Sequence, residues 1–302
     1  MIMGARSESA ELICGAHGAV MRRLLVAVAL IATISDASAG DYDVPILRGS
    51  EPVAPIGPVP PIGPVVSRWA GFFAGGQVGM SIASVDFSSA TQSLVAHELR
   101  ELALENDAHP SRWQVLGKGD TRSVAIGGFV GYNNPWECMI IGVDFNWSRI
   151  NSFIDAPVSP ITRVVAPSNG LLYATTINGA ASMRILDYGV LRVRAGVDLG
   201  NVLPYAGIGA AIGRADVFRT ATASGTEIDP STNPPGVTPF SFTETEIKSG
   251  ALIYGWSLSG GVDVMIMPNM FMRAEYEFVS FTPIYDIKAS VSTGRLGLGF
   301  KF

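Results

Sequence analysis

The chain contains 302 residues, of which 48% are hydrophobic and 16% are charged, and its formal net charge is −5. Soluble domains usually carry about a quarter charged residues, so this composition favours an apolar surrounding, and the acidic balance disfavours a nucleic-acid-binding surface. The longest apolar run, residues 24–34, is too short for a membrane-spanning helix, which requires roughly 20 residues. A hydrophobic chain without a membrane-spanning helix points to a membrane β-barrel. Like a helix, a closed barrel satisfies all of its backbone hydrogen-bonding groups within lipid.

The first segment has the pattern of an export signal. The pair Arg22-Arg23 forms a basic region, residues 24–34 form an apolar region, and Ala37-Ser38-Ala39 matches a small-residue cleavage site. We therefore predict a signal peptide over residues 1–39, with translation expected to begin at Met21. Such a signal indicates a protein of the cell envelope.

A proline-rich linker is predicted next, over residues 40–68. Between Asp41 and Ser67 the chain holds seven of its 19 prolines. Prolines favour extended polyproline II and do not pair in a central strand. We interpret the linker as a periplasmic spacer, with a ligand for a proline-binding domain as the alternative.

The remainder, residues 69–302, alternates with a period of two between bulky apolar residues and small or polar ones, which predicts β-strands. A soluble sandwich would bury the apolar face, whereas an outer-membrane barrel would turn it towards lipid. Weaker alternation over residues 69–83, 123–133 and 203–217 brings the count to about eight antiparallel strands. The strongest segments are Met139–Trp147, Leu191–Leu199, Leu252–Ile266, Met270–Phe281 and Arg295–Phe302.

The lengths of the predicted connections favour the barrel over the sandwich. Short connections at residues 133–136, 200–202 and 267–269 alternate with long ones at residues 84–121, 151–179 and 220–249 and with a shorter one near residues 283–288. Short periplasmic turns and long extracellular loops are typical of up-and-down transmembrane barrels. We therefore predict an all-β, eight-stranded antiparallel barrel over residues 69–302.

The polar faces of these strands would place charges inside the barrel. Because charges in a low-dielectric interior are costly unless they are paired, we expect a salt-bridge network, with Glu275 and Glu277 pairing with Arg192 and Arg194. An eight-stranded barrel is only wide enough for side chains to fill, so a wide pore is disfavoured. The predicted lumen charges are Asp144, Arg192, Arg194, Asp198, Asp263, Arg273, Glu275, Glu277, Arg295 and Lys301.

Five short motifs, in order, resemble those of the opacity-protein-like outer-membrane barrels of alphaproteobacteria. They are Trp69–Gly79, Val190–Gly196, Leu203–Gly209, Arg273–Tyr276 and Gly297–Phe302. The resemblance implies an OmpA-type transmembrane barrel in the bacterial outer membrane. It also implies that Phe300 and Phe302, in the last strand, form the signal that the barrel-assembly machinery recognises. Outer-membrane lipid and lipopolysaccharide are then the other expected partners, and no nucleic acid is expected.

Signals for catalysis or ligand binding are weak. His97-Glu98 begins like a zinc-protease helix, but Glu101 stands where the second histidine is required. Because some members of the resembled family bind haem, His97 and His109 are candidate axial ligands. Residues 94–106 predict an amphipathic loop helix. We expect no catalytic residues, no metal site and no cofactor.

The predicted function is that of a structural surface protein, in which a lipid-facing barrel anchors long extracellular loops and stabilises the envelope. The alternatives are a small porin for passive diffusion of small solutes and a protein that binds haem or another ligand through its outer loops. An enzyme is not expected.

Overall fold

The computed structural model describes residues 67–302 except 101, 137 and 138. The predicted signal peptide and almost all of the linker lie outside this range. Nine strands and three short helical segments account for most of the described chain. The strands are β1 (Gly71–Asp86), β2 (Lys118–Trp136), β3 (Met139–Asp155), β4 (Ile161–Val165), β5 (Leu172–Val197), β6 (Val202–Asp229), β7 (Gly236–Met267), β8 (Met270–Phe281) and β9 (Lys288–Lys301). The helices are α1 (Gln92–Glu98), α2 (Ala103–Ala108) and a 3-10 turn (Pro110–Arg112).

Eight of the nine strands form a closed antiparallel ring. Neighbours in sequence pair from β1 to β3 and from β5 to β9, while β9 pairs with β1 and β3 pairs with β5. The remaining strand, β4, pairs with β5 alone and belongs to the loop between β3 and β5. The predicted all-β, eight-stranded up-and-down barrel is therefore confirmed.

The side-chain alternation has the orientation expected for a barrel in lipid. Along β3, Asp144 and Asn146 are buried inside the ring, whereas Val143 and Phe145 are almost half exposed on the outside. The same parity recurs on β9, where Arg295 is buried and Leu296 is exposed. Apolar side chains thus cover the outer surface and ionic ones lie within, which is the reverse of a soluble sandwich.

Three strands are much longer than a membrane requires. Strands β5, β6 and β7 contain 26, 28 and 32 residues, whereas about 9–11 residues suffice to cross a tilted bilayer. Residues 220–249, predicted as a loop, instead form the far half of the β6–β7 hairpin. The prediction was wrong because short polar residues face outwards there, with cross-strand hydrogen bonds such as Thr220–Thr245 (2.8 Å) in place of an apolar stripe.

The pairing of β7 is uneven along its two edges. On one side it pairs with β6 from Gly236 to Val264. On the other side it pairs with β8 only from Gly255 onwards, and the last backbone hydrogen bond runs from the Thr282 amide to the Tyr254 carbonyl, at 2.7 Å. Among the described residues, no strand pairs with the second edge of β7 between Gly236 and Tyr254.

The long loop between β1 and β2 folds over the barrel mouth. The predicted single helix over residues 94–106 is divided, since α1 ends at Glu98 and α2 begins at Ala103. Leu94, Leu99 and Leu104 are almost fully buried, because they pack onto residues of the barrel wall. No helix among the described residues is long and apolar enough to cross a membrane.

Candidate functional site

The interior near the short turns holds a network of buried ion pairs. Arg192 on β5 is its centre: it donates to Asp144 on β3 from Nε at 2.5 Å and from Nη2 at 3.0 Å. The same guanidinium donates to Glu275 on β8 and lies 3.6 Å from Glu277. All four side chains are fully buried. Bidentate arginine–carboxylate pairs of this kind are the strongest hydrogen-bonded ion pairs.

Three further arginines extend the network across the barrel. Arg295 on β9 donates to Glu275 at 2.6 Å and pairs with Glu277 at 2.7 Å. Arg273 on β8 donates twice to Asp263, at 2.8 and 2.9 Å. Arg194 on β5 also donates to Asp263, at 3.0 Å. Four arginines therefore face four carboxylates, so the network carries no net charge.

Two predicted members lie outside this network. Asp198 lies in the turn after β5, where its carboxylate accepts hydrogen bonds from Ser67 and from the Gly200 amide. Lys301 lies at the end of β9 and donates to the Arg68 carbonyl at 2.6 Å. Both side chains have the inward orientation, but they lie at the short-turn ends of β5 and β9, beyond the level at which the arginines meet the carboxylates.

The pairing within the network differs in part from the expected one. Arg192 does meet Glu275, but Arg194 meets Asp263 and Asn133 rather than a glutamate. The glutamates instead share Arg295. Because barrel strands are tilted, the residues that meet across the lumen depend on the stagger between strands, which alternation alone does not specify.

Below the network, four aromatic residues form a floor at the short-turn end. Trp69, Phe73, Phe129 and Phe271 are buried and pack together, with ring centroids 6.0–6.2 Å apart. Arg273 lies over this floor, with its guanidinium carbon 4.1 Å from the centroid of the Phe129 ring, a cation–π contact. The sequence reasoning missed the floor, although inward parity on three strands could have indicated Phe73, Phe129 and Phe271.

Above the network, towards the long loops, the interior is apolar. Tyr188 marks the boundary, because its hydroxyl forms a hydrogen bond with Thr293 (3.0 Å) while its ring packs among apolar residues. The packing includes wall residues from most strands and, at the top, residues of the β1–β2 loop. Representative members are Phe87, Leu94, Trp113, Ile185, Val217, Ile253, Val279 and Val291. We call this group the apolar plug.

The outer surface divides into an apolar band and a polar region above it. On β1 the band runs from Phe72 to Ile82, and on β6 it ends at Ile212. Exposed basic residues follow immediately on the long-loop side; Arg214, for example, donates to Asp187 on the neighbouring strand at 2.9 Å. The exposed basic residues at this level are Lys118, Arg122, Arg149, Arg184, Arg214, Lys248 and Lys288.

The remaining predicted residues lie at the two ends of the barrel. Phe300 and Phe302 point outwards at the end of β9, with 54% and 81% of their surface exposed. His97, in the last turn of α1, faces Glu98 and Glu244. His109 is exposed and follows α2 with a left-handed backbone, at φ 46°.

The comparisons with known proteins identify the family. The model of the outer membrane protein β-barrel domain matches residues 65–302, and no curated protein sequence matches the chain. Similar solved structures include Neisserial surface protein A (14% identity, 77% of this chain and 98% of that chain, TM-score 0.34) and OprG from Pseudomonas aeruginosa (12%, 78% and 98%, 0.32). Ail, the attachment invasion locus protein of Yersinia pestis, is similar too (14%, 77% and 99%, 0.28). The chain thus belongs to the outer membrane β-barrel domain family, as its motifs predicted, and is a protein of the bacterial outer membrane.

Proposed function

We propose that the protein is a closed anchor, a non-enzymatic barrel that holds an exposed platform of long strands and loops at the cell surface and stiffens the envelope. The observation that carries the proposal is the filling of the barrel interior. The aromatic floor, the ion-pair network and the apolar plug lie one above the other along the lumen. An eight-stranded barrel has room for side chains and little else.

The three layers obstruct the lumen in different ways. The floor presents aromatic rings 6.0–6.2 Å apart, which leaves no width for a hydrated solute. In the network, Arg192 and Glu275 are fully buried and hold each other across the interior. The plug includes the β1–β2 loop itself, which supplies Leu94 and Leu99 to the mouth. A solute would have to displace all three layers in order to pass.

The surface fits an anchor with lipid and lipopolysaccharide as partners. The outward apolar side chains match acyl chains, and the basic residues directly above them would face the phosphate groups of an anionic outer leaflet. Phe300 and Phe302 remain the proposed recognition signal for the barrel-assembly machinery. Beyond the membrane, the β5–β7 strands would carry the loops clear of the lipid.

Planar bilayers test the closed state directly. We expect no stable conductance from the purified, heat-modifiable protein in planar bilayers. The matched variant replaces residues 87–116, which hold much of the plug, with a short glycine–serine linker. It tests whether the ion-pair network and the aromatic floor alone suffice to prevent conductance. Reproducible single-channel steps from the unaltered protein would refute the anchor and support a porin.

The porin is the alternative because several polar atoms inside the barrel lack a protein hydrogen-bond partner. Both amide atoms of Gln77 and the hydroxyl of Ser257 are examples. Buried groups of this kind are usually bridged by water, so a thin chain of water molecules along β1 and β7 is the path that a porin would use. If the protein is a porin, a Gln77→Leu variant should have a lower conductance than the parent. If it is a closed anchor, neither protein should conduct.

A further inference from the structure

The β1–β2 loop is fastened to the β6–β7 hairpin by Arg219. This side chain on β6 donates to the Ala90 carbonyl at 2.9 Å and to the Ser93 hydroxyl at 3.0 Å, and it pairs with Glu246 on β7 at 2.7 Å. Because Ala90 and Ser93 lie at the start of α1, the contact fixes the direction of the helix. The end of α1 is thereby brought against the inner face of β7.

His97, Glu98 and Glu244 meet at this contact. The His97 Nδ1 atom lies 3.4 Å from Glu244 Oε2 and 3.9 Å from Glu98 Oε1, and the three ligand atoms all lie within 4.8 Å of one another. Two ligands about 2.1 Å from one tetrahedral zinc ion stand about 3.4 Å apart. The separation between His97 and Glu244 has this value, and the separation between His97 and Glu98 exceeds it by about 0.5 Å.

The surroundings of the Glu244 carboxylate favour the binding of a positively charged group. Its Oε2 atom is buried and, among the described residues, accepts no hydrogen bond. A buried carboxylate oxygen without a donor is costly. The other two members of the group, His97 and Glu98, line a small cavity together with Arg100, Leu102 and Phe242. Two carboxylates and an imidazole converge here, and this donor set favours a cation.

We propose that His97, Glu98 and Glu244 bind a divalent transition-metal ion of the zinc type, which fastens the end of α1 to β7. One imidazole and two carboxylates suit zinc and similar ions, whereas calcium and magnesium prefer oxygen ligands alone. The open side towards the cavity leaves a fourth position for water. This site is independent of the anchor role, because it joins the β1–β2 loop to the upper half of β7 and takes no part in the ion-pair network or the aromatic floor.

Zinc titration of the purified, untagged full chain tests the site. Every protein carries Cys14→Ser and Cys138→Ser, so that neither thiol competes for zinc, and is stripped with a chelator before isothermal titration with zinc chloride. We expect one saturable site. His97→Ala and Glu244→Gln should weaken binding by more than about tenfold, since even groups that only hydrogen-bond to the ligands of a metal contribute about 10–100-fold. Excess magnesium or calcium should not displace the zinc.

The matched control is His109→Asn, which removes the other histidine of the described chain and suits the left-handed backbone at that position; it should bind zinc like the parent. Cobalt substitution gives a second readout, because a tetrahedral site with a histidine produces a visible absorption band that His97→Ala should abolish. The proposal is overturned if no saturable zinc binding occurs, or if His97→Ala binds zinc as tightly as the parent.

Discussion

Removing the charge of Glu275 tests how strongly the barrel depends on its buried network. Glu275 accepts hydrogen bonds from Arg192, from Arg295 (2.6 and 2.8 Å) and from the Tyr205 hydroxyl (2.5 Å). The change Glu275→Gln keeps the shape but leaves four arginines against three carboxylates. Arg192 retains Asp144, and Arg295 retains Glu277, so one positive charge inside the barrel is left uncompensated.

The expected loss follows from the burial of these groups. Breaking a buried ion pair by removing one partner costs about 3–5 kcal/mol, because the other charge stays desolvated. With a urea dependence of about 2 kcal/mol per molar, the unfolding midpoint should fall by roughly 1.5–2.5 M. The double variant Glu275→Gln with Arg295→Gln restores equal numbers of charges. It should therefore lose less stability than the two single changes added together.

Urea unfolding from lipid vesicles, followed by tryptophan fluorescence and by the heat-dependent gel shift, measures these midpoints. Lys301→Gln is the matched control, because this charge lies outside the network at the end of β9, and its effect should stay within about 0.5 kcal/mol. If Glu275→Gln unfolded at the parent midpoint, or if the double variant showed simple additivity, the network would contribute no cooperative stability and the reasoning would be refuted.

Three further predictions concern the wall and the loops. Val78→Arg, midway along the apolar band of β1, should cost about 2–4 kcal/mol, whereas Phe72→Arg at the band's edge should cost about 0–1 kcal/mol; equal losses in vesicle unfolding would contradict the membrane placement. Gly299→Ala would bring a methyl carbon within 2.3 Å of a ring of the aromatic floor and should cost about 1–3 kcal/mol in the same assay. Hydrogen bonds from the Ser168 amide and hydroxyl hold the pKa of Asp107 below its ordinary value of 3.8. The charged carboxylate therefore stabilises this loop contact at neutral pH, and the contribution is lost as the pH falls below about 3.8; amide exchange at Ser168 should report this, and Asp107→Asn should remove the pH dependence.

The closed ring of strands was predictable because a strand that crosses lipid must show a strict alternation of apolar residues. Every second residue must be apolar, so segments such as Met139–Trp147 reveal both the strand and its orientation. The upper halves of β6 and β7 face water instead of acyl chains. Without that requirement their outward positions hold threonine and serine, and the alternation becomes too weak to distinguish a strand from a loop.

The alternation along the strands predicted which charged residues point into the barrel, but not which of them pair with each other. Inward positions identified eight of the charges that meet in the network, including Arg273 and Asp263. Which carboxylate each arginine contacts depends on strand tilt and stagger, and this is why Arg194 was assigned to the wrong acids. The contact between His97 and Glu244 joins residues about 150 positions apart in sequence through loop packing, for which no periodic signal exists.

The one-sided pairing of β7 locates the outer limit of the hydrocarbon without reference to side-chain hydropathy. Bare amide and carbonyl groups are solvated by water but not by alkyl chains. The edge from Gly236 to about Tyr254, which pairs with none of the described strands, must therefore stand in an aqueous phase, and the bilayer surface must fall near the rung where β8 joins. Arg214 on β6 pairs with Leu252, two residues beyond Tyr254 along β7, so the backbone and the charges place the water boundary at nearly the same height.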